Sequence, residues 1–476
     1  MNIELFILLS FFVLGYSILK YIGMTGWGLV PLSFLAGVAL VIVIFKIFLI
    51  SGIKTGPLWV LSSVIMSSVI LFVLGYRKYT RSDILYLIAG FSLIAVCTFL
   101  LHEYHLVKYH IDSFRYLDSA LLISQDNFNL ASMNHYMKRS LVVPALHSFA
   151  PLYGEYYVRS VTPVLSLALL GSMVWALAAY SEGSKKMIAF IAVLMIFLLV
   201  TNNRYVFNSF YINGHLIFAI YTWLAALMAW SLSINPVKQP KSIGLILFCA
   251  SISVLVAVRP EGFIIASLFV ALVLLSERCD TSIKSVSVLW FTVSVLMWYG
   301  YVAFNQSSGY MYSDLSLMAP FILSIILILG LVVLEKTPVG QYKNLIIFSI
   351  LPFLALILLV FYMMNPSILN DSIYATYHNI LLGAGSWGYS LILLLALLVF
   401  AVAINHGRAL TYLWLPVLCI LVVFFLLAYL RGSPYRIGNG DSLNRMLIQV
   451  VPLATFAVAM ITAKSQKIYK SVGESK

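Results

Sequence analysis

The sequence predicts an all-α polytopic transmembrane helical bundle of about fifteen spans, with interfacial helices in a long early outer loop. Three observations predict it. Of 476 residues, 62% are hydrophobic and 9% charged, with a mean hydropathy of +1.01, whereas a soluble domain carries roughly 25% charged residues. The apolar residues fall in runs of about 16 to 24, each long enough to cross a hydrocarbon core of roughly 30 Å as a helix. No segment shows the alternation, over about ten residues, of a membrane β-barrel. Helices are then the elements that satisfy their own backbone in lipid.

Four runs come first, near 4–21, 28–50, 57–76 and 84–101. The first, Ile3 to Leu19, has no preceding basic region and no small-residue cleavage site, so it reads as a retained helix rather than a signal peptide. After the break 102–157 come runs near 158–180, 187–201, 213–232, 243–258, 262–275 and 286–304. The last five lie near 316–334, 345–363, 388–404, 410–430 and 446–462. This divides the chain into N-terminal spans 1–83, a core 84–310 that carries loop 102–157, C-terminal spans 311–463 with outer loops 364–387 and 431–445, and a basic cytoplasmic tail 464–476. Cys97, Cys249, Cys279 and Cys419 are scattered, without metal-ligand spacing or a disulfide framework.

The net charge is +13, which on a membrane chain first reports orientation, not nucleic acid. Short breaks bearing Arg77, Lys78, Arg81, Lys185, Lys186, Lys238, Lys241, Arg278, Lys284, Lys336, Lys343 and Arg408 belong on the cytoplasmic side, with Lys20 and the tail. That side holds 13 of 17 lysines but 4 of 12 arginines. The other eight arginines (Arg115, Arg139, Arg159, Arg204, Arg259, Arg431, Arg436 and Arg445) face outward with ten of the sixteen acids. Headgroup anchoring explains some of them. The reversal of residue type points further, because arginine binds phosphate through a rigid fork of donors. Ionisable residues at mid-span, which would mark a transporter, are nearly absent, Lys46 being the main exception.

Loop 102–157 carries the chemistry. Phe114, Leu117 and Leu121 fall at helical spacing over Ser113–Ser124, an amphipathic interfacial helix. Asp112 stands just before it, as an N-cap or as a general base. Asp118 and Arg115 lie one turn apart and can pair. Lys138 and Arg139 form a phosphate clamp or a solvated basic pair, and His147 has no partner at metal spacing. The break 201–215 is dense in amides and aromatics suited to sugar: Asn202, Asn203, Arg204, Tyr205, Tyr211, Asn213 and His215. Arg259-Pro260-Glu261-Gly262 turns between two spans, with a local Arg259–Glu261 pair as its simplest reading. In the Gly-rich loop 431–445, Arg445 stands at the expected start of the last span, where a helix N-terminus favours anions.

Together these segments resemble the GT-C class of polytopic membrane glycosyltransferases, which use polyprenyl-phosphate sugars. The resemblance rests on Asp112-x-x-x-Tyr116-x-x-x-Ala120 with Pro144-Ala145-Leu146-His147 and Gly154, on Arg259-Pro260-Glu261-Gly262, and on Asn444-Arg445-Met446 with Pro452, over residues 84–462. It implies an inverting glycosyltransferase moving a hexosyl or pentosyl group to a lipid or glycan acceptor at the outer face of a bacterial inner membrane. Asp112 is then the catalytic base; Arg445, Arg204, Arg259, Lys138 and Arg139 bind the donor phosphate; Tyr116, Asp118, Asn213, His215 and Asn444 bind substrate. Membrane lipids are the further partners expected, and nucleic acid is not. No cofactor is required; a divalent metal is compatible, but Ser113 stands where many members carry a second acid. The four spans before the loop depart from the family, whose acidic loop usually follows its first helix. A surface-polysaccharide polymerase or ligase and a lipid-linked glycan flippase are the rival readings.

Overall fold

The computed structural model describes residues 3–104, 108, 111–126, 140–181, 183–234, 240–305, 314–404 and 410–473. Helices α1 (Ile3–Tyr21), α2 (Leu29–Ile50), α3 (Pro57–Gly75) and α4 (Arg81–Tyr104) precede the long loop, which contains α5 (Ile111–Ser124) and α6 (Val142–His147). Then come α7 (Val161–Tyr180), α8 (Lys185–Val200), α9 (Asn203–Ser209), α10 (Gly214–Ile234), α11 (Lys241–Val258), α12 (Gly262–Leu275) and α13 (Thr281–Val295). One π-helical turn, Leu296–Gly300, joins α13 to α14 (Tyr301–Asn305). The chain ends with α15 (Asp314–Lys336), α16 (Lys343–Met364), α17 (Pro366–Ile380), α18 (Ser390–Ile404), α19 (Thr411–Leu430), α20 (Ser442–Met446) and α21 (Val451–Gly473). Among the described residues the only strand-like pairing is one isolated bridge, Lys108 to Tyr211.

The chain is an all-α, multi-pass membrane protein. Among the described residues, twelve helical segments are long and apolar enough to cross a membrane, and the α8–α9 pair, bent by 78°, makes a thirteenth if counted as one span. The expected runs at 262–275 and 388–404 are helical over 14 and 15 described residues, so the described helices account for twelve or thirteen of the roughly fifteen expected spans.

Three segments differ from expectation. The break at 202–212 contains α9, started by Asn202, whose Oδ1 accepts the Tyr205 amide at 3.0 Å. The break at 364–387 contains the amphipathic helix α17, introduced by Pro366. The last span begins in two pieces, with Arg445 in the final turn of α20. The helix-start argument for anion binding therefore does not apply to Arg445.

Burial separates centre from rim. Over 18-residue apolar stretches of α10 and of the α20–α21 span, 94% of the residues are buried, against 6% in the span that contains α16. The apolar flank of α16 suits lipid, because exposed apolar surface of this extent has no stable place in water. Trp223 of α10 meets Phe456 of α21 edge to face at 5.6 Å, locking the two central helices.

The spans before residue 84 buttress this centre. Tyr221 Oη donates to Leu35 O at 2.7 Å, and Lys46 Nζ to Ser253 O at 2.6 Å. The Ser160 amide, beside the long loop, donates to Glu4 Oε1 at 2.7 Å, so α1 starts at the Asp112 end of the bundle. Its other end is pinned by a buried ion pair, Lys20 Nζ to Asp83 Oδ2 at 3.1 Å, with Tyr16 and Thr80 also donating to Asp83. Removing one partner of such a pair strands the other. Asp83→Asn should lower stability by about 3–5 kcal/mol, and adding Lys20→Met should restore much of it. Thermal unfolding of the purified protein in detergent checks this.

Candidate active site

The site is assembled at one end of the bundle from four chain segments. The first is α5. Ser113 Oγ donates to Ile212 O at 2.9 Å, and the Lys108 and Ile212 amides donate to Phe210 O and Lys108 O at 2.6 and 3.1 Å. These bonds fasten the long loop to the 210–212 segment. The helix starts at Ile111, so Asp112 lies within its first turn and is not the residue before it. Tyr116, one turn on, is buried on the same side, whereas Asp118 is exposed on another face. Asp118 does not join the site, against expectation.

The second segment is the start of α10. Asn213 Oδ1 accepts the His215 amide at 3.2 Å, which fixes the first turn of α10 and buries the His215 ring. Asn213 is thereby engaged in shaping the helix start. The third is the turn between α11 and α12. A Cβ at Gly262 would lie 1.8 Å from Leu255 O, so only glycine lets the chain reverse this tightly. The reversal carries Arg259 and Glu261, which form an ion pair.

The fourth segment is the start of the last span. Arg445 Nη1 donates to Asp112 Oδ2 at 2.6 Å, joining residues 333 positions apart. Four residues on, fully buried Gln449 places Nε2 at 3.3 Å from both Glu261 Oε1 and His215 Nδ1. Arg259 Nη1 meets His215 Nε2 at 3.3 Å. Arginine only donates, and a neutral imidazole accepts at one nitrogen only, so Arg259 and the Gln449 amide nitrogen compete for the single acceptor of His215. Gln449 Oε1 has no partner. Arg445 Nε is likewise buried without one.

Charge is balanced tightly here. Burial alone would raise the Glu261 carboxyl, but the adjoining Arg259 guanidinium outweighs it and holds Glu261 below the usual carboxylate range. Burial weakens the Arg259 charge, yet Glu261 outweighs that and raises Arg259. Burial pushes the Tyr116 phenol up, with Arg259 opposing. Asp112 is felt at both Tyr116 and Arg259, so the Asp112–Arg445 pair and the Arg259–Glu261 pair form one electrostatic unit.

Arg204 is close enough for electrostatic repulsion by Arg445. Its own donors are engaged in holding loops: Nε to Gly385 O and Nη2 to Asn439 Oδ1, both at 2.6 Å. Asn444 serves the same framework, accepting from Trp387 Nε1 and donating to Gly385 O at 3.1 Å. Both residues expected to touch ligand instead pack loop 381–389 against loop 431–445. Asp441 completes that frame, accepting the Leu443 and Asn444 amides at 2.9 and 3.2 Å and the Arg436 amide at 2.9 Å.

Lys138 and Arg139 lie outside the described residues. His147, read as an ordinary hydrogen-bonded histidine, accepts the Val158 amide on Nδ1 at 3.1 Å. Among the described residues no group of three or more His, Cys, Asp or Glu is arranged to hold a metal ion. Two site residues were not anticipated. In the sequence Glu261 reads only as a local partner of Arg259, and Gln449 as part of an apolar run. An amide inside Met446–Thr455 is nevertheless a signal, because polar groups within spans need a partner or a purpose. No family model, curated protein or solved structure matches this chain.

A carboxyl group held low in the folded state adds stability that is present above its unfolded value, about pH 4.3, and is lost as pH falls through the folded one. Wild-type protein should therefore lose thermal stability more steeply below about pH 4.3 than Glu261→Gln. The gap between their unfolding midpoints should be widest near neutrality. Midpoints measured from pH 3 to 7 in one detergent check this.

Proposed function

We propose that the protein transfers a sugar from a polyprenyl-phosphate donor to a lipid or glycan acceptor, with the Asp112 end of the bundle as its active site. The observation that carries this reading is the meeting of Asp112 with Arg445 beside the Arg259–Glu261–His215–Gln449 cluster. A carboxylate able to take a proton stands next to a guanidinium able to take a phosphate, at the end of an apolar bundle where a lipid substrate arrives.

Each group then has a task. The donor phosphate takes the Arg445 guanidinium and displaces Asp112 from Nη1. Asp112, released, accepts the proton of the acceptor hydroxyl as its oxygen bonds to the anomeric carbon. The bond from that carbon to the phosphate oxygen breaks, and the polyprenyl phosphate leaves with the electron pair. Its charge is stabilised by guanidinium groups already in place. On this reading the chain sits in a bacterial inner membrane with the Asp112 end outward, since lysines gather at the opposite end.

A polymerase or ligase acting on diphosphate-linked lipids would use the same arginines, but nothing in the geometry favours it. Purified Asp112→Asn should lose about 10²–10⁴-fold in transfer from undecaprenyl-phosphate sugars, the range for removing a general base. Its elution profile should remain that of the wild type, with stability lowered by no more than the roughly 0.2–1 kcal/mol of a part-exposed ion pair. Wild-type transfer rates would remove Asp112 from the chemistry.

A further inference from the structure

A second concavity lies away from Asp112, at the same end of the bundle. It is a cavity of about 810 Å³ between the end of α2, the link after it, and the segment running from α13 to α14. The size suits a small-ligand site, for which roughly 300–1,000 Å³ is usual. Leu49, Ile50 and Ile53 form one wall, and Val293, Leu296 and Met297 the other. The rim is polar: Lys54, Thr55, Asp126 and Asn305.

Three details indicate an occupant. Lys54 is exposed at the rim and makes no ion pair among the described residues, whereas Asp126 is engaged in accepting the Gly56 amide. Gly300 lines the cavity, and a Cβ added there meets nothing within 4 Å. The space beside this position is open. The wall itself is the π-helical turn, a distortion that concentrates at functional sites. This turn shows Leu296, Met297 and Gly300 to the cavity while Tyr299 Oη donates to Pro260 O, in the active-site turn, at 3.2 Å.

We propose that this cavity binds an anionic membrane phospholipid, with one acyl chain between the Leu49–Ile53 and Leu296–Met297 walls and the headgroup phosphate against the Lys54 ammonium. The cavity opens beside helix ends with the Lys54 ammonium at its rim, while the Asp126 carboxylate that shares the rim sits against Gly56. The inference does not rest on sugar transfer and holds for any reaction at Asp112.

The test uses the full chain in phosphatidylcholine nanodiscs containing a trace of lipid with a photoactivatable diazirine on one acyl chain. The traced lipid is either phosphatidylglycerol or phosphatidylcholine. After irradiation, labelling of Leu49–Thr55 and Leu296–Asn305 should be about fivefold higher with phosphatidylglycerol, the preference one surface cation confers. Lys54→Glu should abolish that preference. Gly300→Phe should remove labelling of both segments by either lipid while leaving α16 labelled as before. Equal labelling by the two lipids, or unchanged labelling in Gly300→Phe, overturns the proposal. Should Gly300→Phe fail to fold, Lys54→Glu in the exposed link decides alone: retained preference is contrary, lost preference is supportive.

Discussion

One hydrogen-bonded ion pair, Arg445 to Asp112, organises the end of the bundle where the polar residues gather. It ties an early helix lying outside the spans to the start of the last span. Around it, charged groups are answered in turn: Glu261 by Arg259 of its own turn and by Gln449 of the last span, Glu4 by the Ser160 amide, Arg204 by Gly385 O and Asn439 Oδ1 of two loops. Charges at the edge of an apolar bundle are costly unless paired in this way. Pairing requires the segments to converge, so four stretches of a largely apolar chain build one site.

The pairing is incomplete where a ligand would act. Arg445 Nε and Gln449 Oε1 lack partners, and His215 meets two donors with a single accepting nitrogen. A partly satisfied buried network is less stable than an apolar core of the same shape. Each such group in a native protein calls for an explanation, a catalytic role or a bound water or ion among them. The loops behind Arg445 are by contrast saturated with hydrogen bonds through Asp441, Asn444, Arg204 and Trp387. A firm frame behind an unsatisfied front is the distribution a site needs.

Much of the fold was legible in the sequence because apolar runs must be helices in lipid. The pairing of Asp112 with Arg445 was not, although both were marked, since nothing in local sequence brings positions 333 apart together. Loop residues were the hardest to read. Arg204 and Asn444 belong to types that bind ligand or carbonyl equally well, and burial among carbonyls decided for the frame. Asp118 differs from Asp112 only in its place around α5, and a helix start one or two residues from the expected one changes which side chains face inward. The helices α9 and α17 were hidden by polar composition, which reads as loop where an interfacial helix also fits.

The central claim is that lipid phosphate and Asp112 compete for Arg445. The most direct measurement is the affinity of undecaprenyl phosphate for wild type, Asp112→Asn, Arg445→Gln and the double variant, in one detergent and salt. The account predicts that Asp112→Asn binds tighter by about 1.5- to 5-fold, matching the roughly 0.2–1 kcal/mol of a part-exposed ion pair. It also predicts that Arg445→Gln binds far more weakly, and that the double variant gains nothing from the loss of Asp112. Equal affinities in wild type and Arg445→Gln, or weaker binding in Asp112→Asn, would contradict it.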